Sequence, residues 1–308
     1  MKHTENDNLP GGVLAVHKGE GMTSHDVVNR IRRLYGTKRV GHAGTLDPMA
    51  TGVLVVLVGR AAKACEYISS DRKAYRALLR LGITTDTEDI TGEVLSECSC
   101  LPSAGQVAAA CRDFVGEIKQ IPPMYSALKV GGQKLYDLAR QGVVIEREAR
   151  EITIYSLSCE ATEQADEFLL DIECSGGTYI RTLCADIGAV LGCGGVMAAL
   201  ERREACGISI GECATLDSLE EMSDAERQER LLPVERLFSE LSAVRLPEFF
   251  EKLFRSGCPI YQKKIKTAFE VGSRVRVCDV NGNFFALGEV VETDEGSAVK
   301  SVKIFELK

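Results

Sequence analysis

The chain has 308 residues, 45 acidic against 37 basic, for a formal charge of −8, with twelve cysteines and only four histidines. At roughly 150 residues per domain the length suggests about two domains. No apolar run approaches the ~20 residues needed to cross a bilayer and Met1 to Pro10 is polar, which excludes a helical membrane anchor and makes a cytoplasmic protein without a signal peptide the expectation.

Gly12 to His17 reads as a short apolar strand, followed by a helix over Ser24 to Leu34. Thr23 or Ser24 caps that helix, and Val27, Val28, Ile31 and Leu34 share one face. Arg32, Arg33, Lys38 and Arg39 form a basic approach to the stretch Gly41-His42-Ala43-Gly44-Thr45-Leu46-Asp47-Pro48-Met49-Ala50-Thr51-Gly52. Three glycines and a proline rule out helix there, so a loop is expected; the apolar run Val53 to Val58 is a strand buried on both faces. Asp47 therefore sits in a stiff loop at the mouth of a core strand, pushed towards extended geometry by Pro48. On this segment alone, an Asp-Pro turn without chemistry is the simpler reading.

Ala61 to Ile68 is a short helix ending near Ser69-Ser70-Asp71, and Tyr75 to Ile83 a strand with Ala77, Leu79 and Leu81 alternating against Arg76, Leu78 and Arg80. A polar stretch, Thr84 to Asp89, and a Thr91-Gly92 turn precede a strand over Glu93 to Leu95; Ser103 caps a helix reaching Phe114. Gln120 to Lys129, with two prolines, runs through Gly131-Gly132 into a helix over Lys134 to Arg140 and is expected to be an exposed, mobile arm. Glu151 to Ala161 and Glu167 to Cys174 form a hairpin. Ser175-Gly176-Gly177-Thr178-Tyr179 opens a helix with Ile180, Leu183, Ile187 and Val190 buried and Arg181 and Asp186 off that stripe; a second helix is expected over Val196 to Arg203. An acidic connector, Leu216 to Leu237, leads to a compact all-β module of roughly 60 residues. The cysteines are scattered with no CxxC pair, and Cys98 and Cys100 lack metal spacing, so reduced structural thiols are expected and neither a disulfide framework nor a zinc site.

Acidic charge concentrates in Glu160 to Asp171 and Glu220 to Glu229, while Arg60 to Arg80, Lys129 to Arg150 and Arg245 to Arg276 hold local cations. An acidic chain with basic strips can still hold RNA, so net charge decides nothing. The chemistry-bearing set is a carboxylate in a glycine loop, a tyrosine at the start of a strand and a Gly-Thr-Tyr-Ile-Arg corner at a helix start. An arginine can fix a carboxylate through a bidentate pair and keep it ionised once a ligand expels water, which suits a nucleophile. Read singly, Tyr75 is equally a core aromatic, Leu200 plain helix core and His42 a loop histidine.

In spaced blocks over nearly its whole length, the sequence resembles the tRNA pseudouridine synthase B family. The blocks are Lys18 to Asp26, Gly41 to Gly52, Lys73-Ala74-Tyr75, Gly82 to Gly92, Gln120 to Gly142, Ser175 to Gly188 and Leu200 to Arg203. The resemblance implies an α+β fold: a mixed, largely antiparallel central sheet flanked by helices over residues 1–243, with an RNA-clamping arm at about 120–150, then a small RNA-binding β module over 244–308. It implies an isomerase that converts uridine 55 in the T-arm of tRNA to pseudouridine by base flipping. Asp47 is then the nucleophile, Tyr75 stacks on the uracil and is linked to a later proton removal, and Arg181 pairs with Asp47. Tyr179 and Leu200 line the base pocket, His42 holds the extruded region and Lys18 supports the floor. No metal or cofactor is implied, and the expected partner is the tRNA T-stem-loop, bound by a monomer that needs no protein partner. His17-Lys18-Gly19 stands where the family usually has Asp-Lys-Pro, and Ala43 where threonine is common. Rival readings are an RNA-binding or tRNA-folding protein without catalysis, a nucleosidase-like hydrolase, which lacks an obvious second carboxylate, and the guide-RNA-dependent type of the same family.

Overall fold

A computed structural model describes residues 11–68, 72–126, 128–143 and 145–305. The polar stretch Met1 to Pro10 and the expected helix end near Ser69-Ser70-Asp71 lie outside the described residues. In chain order the main elements are β1 (Gly12–Lys18), α1 (Ser24–Leu34), β2 (Val40–Ala43), β3 (Thr51–Val58), β4 (Lys73–Leu81), α2 (Ala104–Asp113), β5 (Gly116–Gln120), α3 (Leu135–Ala139), β6 (Arg150–Ala161), β7 (Glu167–Cys174), α4 (Ile180–Val190), β8 (Gly195–Ala205) and β9 (Ala214–Thr215). They are followed by β10 (Ala243–Arg245), α5 (Glu248–Arg255), β11 (Ile260–Tyr261), β12 (Arg274–Cys278), β13 (Phe284–Val291) and β14 (Ala298–Ile304).

The first group builds a large mixed sheet in the order β9-β1-β3-β8-β4-β7-β6-β5, with β2 paired to β3 on the edge opposite β1, ahead of β8. Only β3–β8 and β1–β9 run parallel; the other pairs are antiparallel. Val53 to Val58 are fully buried, as an uninterrupted branched apolar run requires. On one side α1 docks Val27, Val28 and Ile31 against Leu14, Val16, Leu54 and Val56; on the other, α2 and α4 cover Tyr75, Ala77, Leu79 and Leu81. A second, five-stranded sheet, β10-β12-β13-β14-β11, forms the C-terminal unit, and its Cys278, Phe284, Leu287 and Phe305 pack with Leu57, Ala61, Val234 and Phe238.

Several expectations need correction. Val196 to Arg203 is strand, not helix: Met-Ala-Ala-Leu-Glu-Arg-Arg has good helix propensity, but the segment is inserted between β3 and β4, and tertiary pairing overrides propensity. Val190, expected to be buried, is 65% exposed because it lies in the last turn of α4. Gly41 to Gly52 is not loop throughout, since its ends belong to β2 and β3. The arm is not simply exposed: Pro122, Pro123, Ser126 and Leu135 are buried. The C-terminal β module also carries a helix, α5, whose Phe254 is packed under its sheet.

Candidate active site

Loop 44–50 joins β2 to β3, and buried side chains from three separate elements fasten its backbone. From β1, the fully buried Lys18 donates through Nζ to the Pro48 carbonyl at 3.1 Å, with Met22 and Gly19 carbonyls at 2.8 and 2.9 Å. From α1, Ser24 Oγ accepts from Leu46 N at 2.9 Å and donates to Leu46 O at 3.1 Å. From β8, the fully buried Arg202 donates to Val53 O (2.8 Å), Gly44 O (3.0 Å) and Thr45 O (3.4 Å). Gly52, at φ +100°, permits this close approach, since a Cβ there would lie 2.3 Å from the Arg202 carbonyl.

With the flanking backbone fixed, the half-buried Asp47 side chain is held in place between the exposed Thr45 and Pro48 and the buried Leu46. Arg181, in the first turn of α4, grips it in a fork: Nε to Oδ2 at 2.9 Å and Nη2 to Oδ1 at 3.4 Å. Arg181's remaining donors are also occupied, Nη1 by Thr87 O at 3.0 Å and Nη2 by Tyr125 O at 2.8 Å, with the buried Asp89 carboxylate 3.9 Å from Nη1. Gln120 fixes the start of α4 by donating to Tyr179 O (3.0 Å) and accepting from Tyr179 N (2.8 Å). The guanidinium side chain is only 6% exposed, against 36% for Asp47. A held carboxylate thus keeps one side open while its holder is enclosed.

That open side faces a cavity of about 480 Å³ whose walls include Asp47, Tyr75, Tyr179, Arg181 and Leu200. Tyr75 lies on β4 directly opposite Arg202 of β8 in the strand register. Burial pushes its phenol above the ordinary tyrosine range, and the Arg202 guanidinium against the hydroxyl opposes that shift. Lys18 and His42 are not in the walls. Lys18 acts beneath the loop, where burial lowers its ammonium to about 8 and Asp47 partly offsets the effect. His42 sits on β2, its ring kept towards neutrality by burial and then by Arg202, with Nδ1 buried and without a hydrogen-bond partner.

Sequence reasoning missed several participants. Lys73 lines the cavity two residues before Tyr75 on the same face of β4, a placement that period-2 alternation could have flagged. Arg202 was not singled out, because a helix over Val196 to Arg203 does not set it between β3 and β4. Tyr125, Ser126, Leu128 and Tyr136 bring the arm over the cavity. Among the described residues no cluster of His, Cys, Asp and Glu is arranged to hold a metal.

Residues 32–180 match the model of the TruB family pseudouridylate synthase N-terminal domain, and residues 181–239 that of the tRNA pseudouridylate synthase B C-terminal domain. The chain is 42% identical over 298 residues to tRNA pseudouridine synthase B of Alkaliphilus oremlandii, spanning 96% of this chain and 98% of that protein. It is 46% identical over 276 residues to the protein of the same name from Syntrophotalea carbinolica, spanning 88% and 89%. Among solved structures, a chain of the Cbf5-Nop10-Gar1 complex superimposes with a TM-score of 0.74 at 24% identity, covering 96% of this chain and 84% of that one, a likeness of fold.

Proposed function

The chain belongs to the TruB family of tRNA pseudouridine synthases, which are isomerases, and from that premise we propose that it converts uridine 55 in the T-arm of tRNA to pseudouridine, with Asp47 as nucleophile on a base flipped from its stack. The observation that carries this reading is the forked Arg181–Asp47 pair in the wall of the Tyr75 cavity.

Extruding a uridine from a folded loop costs a few kcal/mol, and an aromatic platform offsets part of that. Tyr75 supplies the platform, with Leu200 and Tyr179 on the other walls. Asp47 adds to the substrate while Arg181 keeps its oxygens aimed and ionised as water leaves. The N1–C1′ bond breaks, the uracil turns, and a C5–C1′ bond forms; the bond to Asp47 breaks again and frees the carboxylate, C5 loses a proton and N1 gains one. Atoms and electrons balance without a redox partner, so the reaction calls for no cofactor. As acceptor of the C5 proton, Tyr75 depends on Arg202, because burial alone disfavours the phenolate. In the same reading residues 1–243 form the catalytic unit, 244–308 hold RNA, the arm from 120 to 150 closes over the T-loop, and the enzyme works in the cytoplasm as a monomer.

The test is incubation with an unmodified tRNA transcript, followed by carbodiimide adduct mapping with primer extension, with Asp47→Asn alongside. One new stop at the T-loop uridine, absent with the variant, is the expected result. Equal tRNA binding by both proteins with a stop in neither would leave an RNA-folding protein and reduce Asp47 to a structural residue.

A further inference from the structure

Lys73 is a half-buried cation in the wall of the catalytic cavity that makes no hydrogen bond or ion pair among the described residues. Its surroundings make this costly. A Cβ on Gly44, which takes φ +81°, would lie 3.7 Å from Lys73 Nζ and 3.4 Å from Arg202 Nη1, so two cations converge over the first residue of the Asp47 loop. Arg202 cannot help, because it is itself a fully buried cation, held by the Val53, Gly44 and Thr45 carbonyls and set against the Tyr75 hydroxyl. Burial and then the Arg202 charge both pull the Lys73 ammonium below the usual lysine range, and no carboxylate stands among the groups acting on it. In the cavity wall itself Lys73 and Arg181 stand against a single carboxylate, Asp47, which Arg181 already engages, although the chain as a whole is acidic. An unpaired, partly desolvated ammonium facing a substrate cavity is a site prepared for an anion.

We propose that Lys73 binds a phosphate flanking the target uridine, fixing the flipped nucleotide's backbone while Tyr75 holds its base. The inference rests on the tRNA reading above, since a nucleic acid is the substrate that brings phosphodiesters to this wall. Spacing agrees with it: side chains two apart on one strand face stand roughly 7 Å from each other, comparable to the reach from a nucleobase to its own phosphate. Lysine suits the task as a compact point charge on a flexible stem, able to follow the backbone as the base enters.

The experiment is a single-turnover cycle on a T-arm stem-loop, using the unmodified protein, Lys73→Gln and Lys73→Arg. The RNAs carry either natural phosphates or a neutral methylphosphonate at the 5′ or the 3′ phosphate of the target uridine. With the unmodified protein, one of the two methylphosphonates should raise the half-saturating RNA concentration roughly tenfold, the size of a charge-assisted hydrogen bond. Lys73→Gln should show the same rise with natural RNA and less than about a twofold further rise with that methylphosphonate, and its log–log salt slope should fall by about one. Lys73→Arg should bind natural RNA nearly as the unmodified protein does. Independent, multiplying losses in Lys73→Gln, or no effect of either methylphosphonate on the unmodified protein, would overturn the assignment; the second readout needs no variant to fold. Conversion by the unmodified protein without coupling removes Lys73 alone, whereas no conversion at all removes the functional reading and this inference together.

Discussion

Two arginine–aspartate forks in the same part of the molecule invite comparison. Arg76 on β4 and Asp171 on β7 meet at 2.8 and 2.7 Å, a tighter fork than the 2.9 and 3.4 Å of Arg181 and Asp47. Fork geometry alone would therefore select the wrong pair. The difference is enclosure: the Arg76 side chain is 40% exposed, the Arg181 side chain 6%. Arg76 belongs to a cross-strand series on the outer face of the sheet, where Arg72, Arg76 and Arg80 are each matched by an acid, Glu173, Asp171 and Asp166. That face is locally neutral. The opposite face of β4 carries Lys73 and Tyr75 into the cavity, where cations exceed acids. One strand thus separates a charge pattern that solvates a surface from one that awaits an anion.

The comparison is tested most severely at its aspartates. Asp47→Asn should lower pseudouridine formation by at least roughly 10⁴-fold while Tm changes little, because the loop is held by Lys18, Ser24 and Arg202 rather than by the carboxylate. Asp171→Asn should leave the rate within about twofold. Next in size is Arg181→Lys. A lysine cannot span Asp47, the Thr87 carbonyl and the Tyr125 carbonyl at once. The rate should fall on the order of 10²-fold or more from misplacement of the carboxylate, and denaturant unfolding should show about 2 kcal/mol of lost stability from buried acceptors left unmatched. Unchanged kinetics in Arg181→Lys would mean the fork is structural, like the outer one.

Much of this arrangement was legible in the residues, for identifiable reasons. Strong local patterns match the element types found: the branched run Val53 to Val58, the alternation in β4, and the Thr23 cap that starts α1. Asp47, Tyr75 and Arg181 line one cavity. What stayed hidden is non-local. Arg202 and Lys73 matter because β8 lies beside β4, so that Arg202 stands opposite Tyr75 and both cations reach Gly44, and no periodicity within Met197 to Arg203 distinguishes that strand from the helix its composition favours. The arm's burial likewise depends on Arg181 reaching the Tyr125 carbonyl from a distant helix.

A smaller effect probes the enclosed side by pH. Asp186 on α4 is partly buried, and burial first, then Glu88, raises its carboxyl from 3.8 to about 6. The folded chain therefore holds this proton more tightly than the unfolded chain, so the group's contribution to stability falls as pH rises from about 4 to 6, and the penalty is complete above 6. Asp186→Asn removes the penalty. Thermal unfolding should show a gain on the order of 1 kcal/mol at pH 7 that fades on acidification through pH 6 and vanishes near pH 4. A gain independent of pH would assign the effect to packing instead.

The smallest expected change lies on the outer face, and it sharpens the contrast because it should be nearly silent. In Arg76→Ala the lost fork is solvated on both sides, so stability should drop by less than about 1 kcal/mol, and the difference should shrink at 1 M salt, where the screening length is about 3 Å. Turnover of tRNA should stay within about twofold, since Arg76 and Asp171 already neutralise each other and leave no charge to offer a phosphate. A tenfold loss of turnover with a normal unfolding curve would show that RNA opens this pair and reads the outer face as well. The neutral series along β4 and β7 would then be a second part of the RNA-binding surface, and the separation of the two faces by charge balance would fail.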